Sequence, residues 1–142
     1  MIIIQPYAQK LPSGKLNPKN YHYWKELISL IDEPIIQVGV KGEEQLVPQF
    51  LQNLPLARLK ELIAECRTWI GVDSFFQHLA HDCNKPGIVL WSVSDPLIFG
   101  YPENHNLLKD RSYLAPNQFL WWNYTDHNSD AFVKAEKVLE FL

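Results

Sequence analysis

Cysteine is scarce in this chain. There are two, Cys66 and Cys83, and they form no Cys-x-x-Cys pair. That excludes a disulfide framework, and since each sits within a helical pattern, both read as small buried apolar side chains in a reducing compartment. Long hydrophobic runs are missing too, so no membrane span is expected. The opening Met1-Ile2-Ile3-Ile4 is ended by Gln5-Pro6, too early for the apolar segment of a secretory signal. A cytoplasmic protein is the expectation. Charge of one sign is also lacking: 13 Lys+Arg against 16 Asp+Glu leave a net charge of -3. Such a balance excludes whole-molecule attraction for nucleic acid or an anionic membrane. A local basic patch is still open to Lys10, Lys15, Lys19 and Lys25. Phosphate-binding P-loops, Gly-x-Gly-x-x-Gly turns and Gly-x-Ser-x-Gly nucleophile elbows are absent, and no internal repeat is found.

What is present is a core. Hydrophobic residues make up 46% of the 142 positions, enough for one domain without disulfide or metal support. Residues 2–5 (IIIQ) form a short apolar run ended by Pro6, a buried-strand pattern. Asn17-Pro18 offers a helix start, and Tyr21, Trp24, Leu27, Ile28 and Ile31 fall on one helical face, closed by Pro34. Residues 35–39 (IIQVG) predict a second strand, followed by a turn into a short helix at Glu43-Glu44. A short strand near 51–54 is possible. Leu56, Leu59, Leu62, Ile63 and Cys66 predict a helix. Residues 69–73 predict a strand ending in Asp73, with a helix carrying Phe76, Leu79, Ala80 and Cys83 directly after it. Residues 84–87 make a turn and 88–91 a further strand. Residues 92–113 read as one long loop, of a length usually functional or mobile. Asn128-Ser129-Asp130 can cap a last helix burying Phe132, Ala135, Val138, Leu139 and Leu142.

Strands alternating with helices imply an α/β class: a single Rossmann-like domain, mostly parallel, with helices on both faces. Ligands then bind at the carboxyl ends of the strands. That edge would gather residues 5–15, 39–44, Asp73-Ser74 and 92–100.

The sharpest local feature is Gly71-Val72-Asp73-Ser74-Phe75-Phe76-Gln77-His78. A strand ends and a helix begins at an acid-hydroxyl pair. Free N–H groups and the dipole at a helix start suit an anion, and Ser74 can donate to a phosphate. Asp73 repels phosphate but can accept from sugar hydroxyls, and His78 lies one turn along on the side of Ser74. From this stretch alone, plain capping by Asp73 or Ser74 with a structural His78 is the favoured account. Lys15 could reach a diphosphate as a point charge, although loop lysines are mostly just solvated. Glu43 or Glu44 could hold a ribose diol, with exposed charges at a helix start as the equal alternative. His78 and His81 are three apart but have no distant partners at zinc spacing, so no metal is expected. Phe119, Trp121, Trp122 and Tyr124 suit core or interface better than a nucleic-acid stacking platform.

In order and spacing, IIIQPYA, KLNPKNYHYWKELISLI, IIQVGVKGEE and LARLKELIAECRTWIGVDSFFQHLAHDCNKPGIVLWSVSDP resemble the C-terminal, nucleotide-sugar-binding domain of family 9 glycosyltransferases, the ADP-heptose:lipopolysaccharide heptosyltransferases. The resemblance covers residues 2–100; residues 101–142 form a loop, an aromatic segment and a final helix outside it. It implies the C-terminal half of a GT-B glycosyltransferase and a metal-independent transfer from a nucleotide-diphosphate sugar to a hydroxyl. It further implies that Lys15 contacts the donor diphosphate and Glu43 or Glu44 the ribose. By the same resemblance Asp73 holds the donor sugar, Ser74 and the backbone at Phe75 cradle phosphate, His78 follows on the helix, and Ser94-Asp95 close beside the donor. Two departures stand out. The family has Gly where this chain has Phe75, and its enzymes place the reaction between two Rossmann-like domains, of which this sequence carries one. The acceptor site and base would then come from an N-terminal-type partner subunit or a second copy. A non-catalytic nucleotide or nucleotide-sugar binder, or a protein-interaction module, is the alternative.

Overall fold

A computed structural model describes residues 1–119 and 122–142; Trp121 of the aromatic segment lies outside them. Among the described residues six strands form one fully parallel sheet: β1 (Ile2–Gln5), β2 (Ile35–Gly39), β3 (Phe50–Gln52), β4 (Thr68–Val72), β5 (Ile88–Leu90) and β6 (His105–Leu107). Their order is β3-β2-β1-β4-β5-β6. The chain steps outward from β1 to β3, returns to the other side of β1, and steps outward again. The reversal between β1 and β4 is the switch point where a parallel sheet leaves a crevice at its carboxyl edge.

Alternation along each strand assigns its residues to the two faces. Ile2 and Ile4 of β1, with Ile70, Val72, Ile88 and Leu90, meet α1 (Trp24–Leu30) and α5 (Ala135–Leu139). Ile3, with Val38, Trp69, Val89 and Trp91, meets α2 (Leu56–Glu65) and α3 (Phe75–Asp82). Both faces are therefore covered, and all three isoleucines of β1 are fully buried. On the first face Tyr21 packs edge-on against Trp24 and Phe132, each at 5.5 Å between ring centres. Its hydroxyl donates to the Val133 carbonyl at 2.8 Å. Each such buried ring contributes on the order of 4–6 kcal/mol of apolar burial as an upper figure. Trp24 also serves the site, because its indole N–H donates to the Pro6 carbonyl at 3.2 Å and pins the chain leaving β1.

The structure differs from the sequence reading in four places. No helix follows β2. The buried Gln37 instead donates to the Glu44 carbonyl at 2.9 Å and accepts from Leu46 N–H at 2.7 Å, so this segment's backbone is satisfied by a side chain. Gly42, at φ 96°, also turns the chain away from helical conformation. Second, residues 92–113 contain a short helix, α4 (Pro96–Phe99), and the edge strand β6. A three-residue strand of His-Asn-Leu has no apolar run to announce it. It is held by pairing with β5, by Asn106 accepting from the Trp91 indole at 3.0 Å, and by Asn104 accepting from Gly87 N–H at 3.0 Å. Third, Asn17 caps no helix. Its Oδ1 accepts from Lys19 N–H at 3.0 Å in a local turn, and α1 starts at Trp24. Fourth, Asn128 caps a 3-10 turn, Ser129–Ala131, and α5 follows only at Ala135.

Candidate ligand site

A cavity of about 790 Å³ opens at the carboxyl ends of β1, β2, β3 and β4. That volume lies within the range of small-molecule sites, roughly 300–1,000 Å³. Gln5 and residues 7–12 wall it on the β1 side, with Gly39, Val40, Lys41 and Glu43 after β2. Asn53 and Leu54 contribute after β3, and Asp73, Ser74 and Phe75 after β4. Val38, Leu51, Leu59 and Phe76 make its floor apolar, while Lys19 and Trp122 reach it from outside the sheet.

Asp73 directly follows β4 and is 5% exposed. A buried carboxylate needs partners, and it has two. The Gln77 side-chain amide, in the first turn of α3, donates to Oδ1 at 2.7 Å, and the Lys19 ammonium stands 3.0 Å from Oδ2. Lys19 in turn lies over the Trp122 ring at 4.8 Å. Ser74 is the residue before α3, in extended backbone, and its hydroxyl does not cap the helix. It donates to Gln5 Oε1 at 2.6 Å, while the Gln5 amide is spent on the Tyr7 carbonyl. One hydrogen bond thus joins the ends of β1 and β4 across the switch point. The N–H groups of the first turn of α3 face the same edge. Phe75, first in that helix, is 63% exposed at the cavity wall.

Glu43 curls back over the end of β2, where its Oε1 accepts from Val40 N–H at 2.8 Å. The room for this exists only because residue 39 is glycine: a Cβ there would overlap that carboxylate oxygen. Burial pushes the Glu43 carboxyl above its ordinary range, against the opposing pull of the Val40 N–H and the Lys10 charge. Glu44 turns outward, to Lys25 at 3.5 Å and the Tyr7 hydroxyl at 3.5 Å. Tyr7 is pushed up to about 12, by burial first and then by the charges of Glu44 and Glu43.

The structure therefore brings Glu43, Asp73, Ser74 and Phe75 to one cavity. Lys15 and Glu44 line a second hollow of about 350 Å³, which shares Glu43 and the chain after β1 with the first. Lys15 pairs with Asp126 at 3.1 Å, both side chains well exposed. His78, Ser94 and Asp95 line neither space. His78 Nδ1 meets the Tyr101 hydroxyl at 2.6 Å, and the His81 ring stacks on Tyr101 at 3.8 Å and pairs with Glu103. Ser94 is buried. Asp95 caps α4 by accepting from Leu97 N–H at 2.9 Å and holds Arg111 at 2.7 and 3.1 Å. The Arg111 guanidinium keeps the Asp95 carboxyl below its usual range. Of the lysine cluster, Lys15, Lys19 and Lys25 each face a carboxylate, which leaves little of a basic patch.

Sequence reasoning missed Lys19, Gln5 and Gln77 as site residues. The signal available for Lys19 was its place directly after Asn17-Pro18, where the turn fixes its direction. Among the described residues no group of three or more His, Cys, Asp or Glu is arranged to hold a metal ion, and no helix is long and apolar enough to cross a membrane.

No curated protein and no solved structure matches the chain. A family model does, over residues 32–118, and its description is glycosyltransferase family 9 (heptosyltransferase). The match runs from just before β2 to beyond β6 and includes Glu43, Asp73, Ser74 and Phe75; the segment carrying Lys15 and Lys19 precedes it. Spanning more than half of a 142-residue chain that folds as one open parallel sheet, this match establishes that the chain belongs to glycosyltransferase family 9.

Proposed function

We propose that the chain binds a nucleotide-diphosphate sugar in the larger cavity and takes part in transferring the sugar to a hydroxyl acceptor. The observation that carries this reading is the meeting of Glu43, Asp73 and Ser74 around one 790 Å³ space at the β1/β4 switch point. Each group has a role suited to its chemistry. Glu43 accepts from the ribose diol. Ser74 and the first N–H groups of α3 meet the diphosphate, which the helix dipole favours there. Asp73 accepts from hydroxyls of the donor sugar. In the transfer, the acceptor oxygen bonds to the anomeric carbon as the bond from that carbon to the diphosphate oxygen breaks. The diphosphate leaves with the electron pair, and charges fixed around it stabilise the negative charge it gains. The acceptor proton goes to a base on a partner domain or a second copy of the chain, which also supplies the acceptor site. No metal or cofactor is invoked, and a cytoplasmic setting suits the unpaired Cys66 and Cys83.

A second reading has its own observation. Phe75, 63% exposed at the cavity wall, stands where the family has glycine and can occupy space meant for the sugar. In that case the domain binds a nucleotide without transferring anything. Calorimetry with ADP, UDP, GDP and ADP-heptose on the wild type and on Asp73→Ala tests both readings. Selective micromolar binding of a nucleotide sugar, weakened in Asp73→Ala, supports the donor site. Binding of the nucleotide alone supports the second reading. Binding of none of the four defeats both and leaves a protein-interaction module.

A further inference from the structure

An acidic side chain beside a diphosphate site poses a physical problem, because it repels the ligand its neighbours attract. The Asp73 carboxylate lies next to the start of α3 and in the same wall as Ser74. The described residues contain an answer in Lys19. Its ammonium is 3.0 Å from Asp73 Oδ2, and its side chain is only 17% exposed. Its backbone is anchored on both sides. Asn17 holds Lys19 N–H at 3.0 Å and donates to the Gln9 carbonyl at 2.8 Å. The Pro18 carbonyl accepts from the buried Ser92 hydroxyl at 2.8 Å, and Asn20 accepts from Ala8 N–H at 2.8 Å. A lysine on a pinned segment, largely desolvated and resting on the face of Trp122 at 4.8 Å, has already lost much of the freedom that binding would otherwise cost it. Lys15 differs in each respect. It is 52% exposed, its partner Asp126 is 88% exposed, and exposed pairs of this kind hold a geometry weakly.

We infer that Lys19 is the cation that receives the anionic group of the ligand in the larger cavity, and that Asp73 holds it in place until that group arrives. This assignment rests on the proposed function and adds to it a residue and an order of events. An ammonium has three N–H donors. An incoming diphosphate competes with Asp73 for them and draws the ammonium towards the start of α3. Asp73 then loses its counter-ion and is free to accept from sugar hydroxyls. Its acceptor role is switched on by the anion, and a neutral sugar alone meets a carboxylate already occupied.

The test is calorimetric titration of inorganic pyrophosphate and of ADP into wild type, Lys19→Met, Asp73→Asn, Lys19→Met/Asp73→Asn and Lys15→Met, with a thermal melt of each. Lys19→Met is expected to weaken pyrophosphate at least tenfold and Lys15→Met to weaken it less. Asp73→Asn is expected to tighten pyrophosphate severalfold, since it releases Lys19, and that gain is expected to vanish in the double variant. A role for Lys19 in folding alone would not produce the opposite signs at the two positions. Should Lys19→Met fail to fold for want of a partner to the Asp73 charge, the double variant, which carries no unpaired carboxylate, is compared with Asp73→Asn and the same tenfold gap is required. The assignment is overturned, with the proposed function left standing, if ADP binds Lys19→Met as it binds wild type, if Lys15→Met loses more, or if the gain of Asp73→Asn persists without Lys19. Wild type that binds neither probe, and neither UDP nor GDP, overturns the proposed function and this assignment with it.

Discussion

Gly39→Ala separates the site from the fold. The new Cβ would overlap Glu43 Oε1, lie 3.2 Å from Cδ of the same side chain and 3.4 Å from the Phe50 ring. The ring contact is near ordinary packing, so the clash falls on the far end of a flexible glutamate, which can swing away. Doing so breaks its hydrogen bond from Val40 N–H at 2.8 Å. A bond to a charged group contributes about 1.5–3 kcal/mol, and half-burial with water able to reach the vacated N–H reduces the loss to roughly 1 kcal/mol. Replacing glycine by alanine in an extended strand returns about 0.4–1 kcal/mol through the unfolded chain. The net change in stability is therefore within about 1 kcal/mol, a shift of only about 4 °C in Tm for a domain this size. Nucleoside affinity should fall much further, because the acceptor proposed for the ribose has left: about tenfold or more, equivalent to roughly 1.4 kcal/mol. Thermal melts and ADP calorimetry on one preparation give both numbers. Unchanged ADP affinity would refute the role of Glu43, and a Tm loss beyond about 8 °C would refute the claim that the clash is confined to one side chain.

Three further outcomes are expected. Gly87→Ala drives a Cβ into the Trp69 indole, 2.5 Å from Nε1, and that ring is fully buried with its N–H on the Lys85 carbonyl. Overpacking of this kind costs about 1–3 kcal/mol, so denaturant unfolding should show a lower midpoint with the ligand site intact; an unchanged midpoint would mean the ring yields freely. The Glu43 carboxyl is raised by burial, so its proton is held more tightly folded than unfolded. Its contribution to stability is thus greatest below its unfolded value of 4.5 and is lost as pH rises through the folded value, while the ribose recognition proposed for it needs the carboxylate. ADP affinity should accordingly decline on acidification from neutrality before ordinary carboxylates titrate, and Glu43→Gln should flatten the profile; identical profiles would contradict this. Phe75→Gly removes an exposed ring from the cavity wall at a cost of about 1 kcal/mol in the first turn of α3. Tighter binding of ADP-heptose relative to ADP would show that the ring restricts the sugar, and an unchanged ratio would remove Phe75 from consideration.

Local pattern alone determined much of this protein. The apolar runs of β1, β2, β4 and β5 and the helical stripes of α1, α2 and α3 state a parallel α/β sheet, because burial on both faces demands those spacings. The passage from β4 through Asp73-Ser74 into α3 announces a helix start at a strand end, and the match to the family includes it. Periodicity is a property of neighbouring residues, so these features were legible. Contacts between distant segments were not. That β6 exists depends on β5 lending its edge to His-Asn-Leu, and that the chain after β2 forms no helix depends on the amide of Gln37. That Glu43 points inward and Glu44 outward depends on the missing Cβ at Gly39. Lys19, in the sequence only one of a cluster of lysines, meets Asp73 because β1 and β4 are neighbours at the switch point. Tertiary structure decided which charges face one another, since a charge finds its partner through space and leaves no period in the chain.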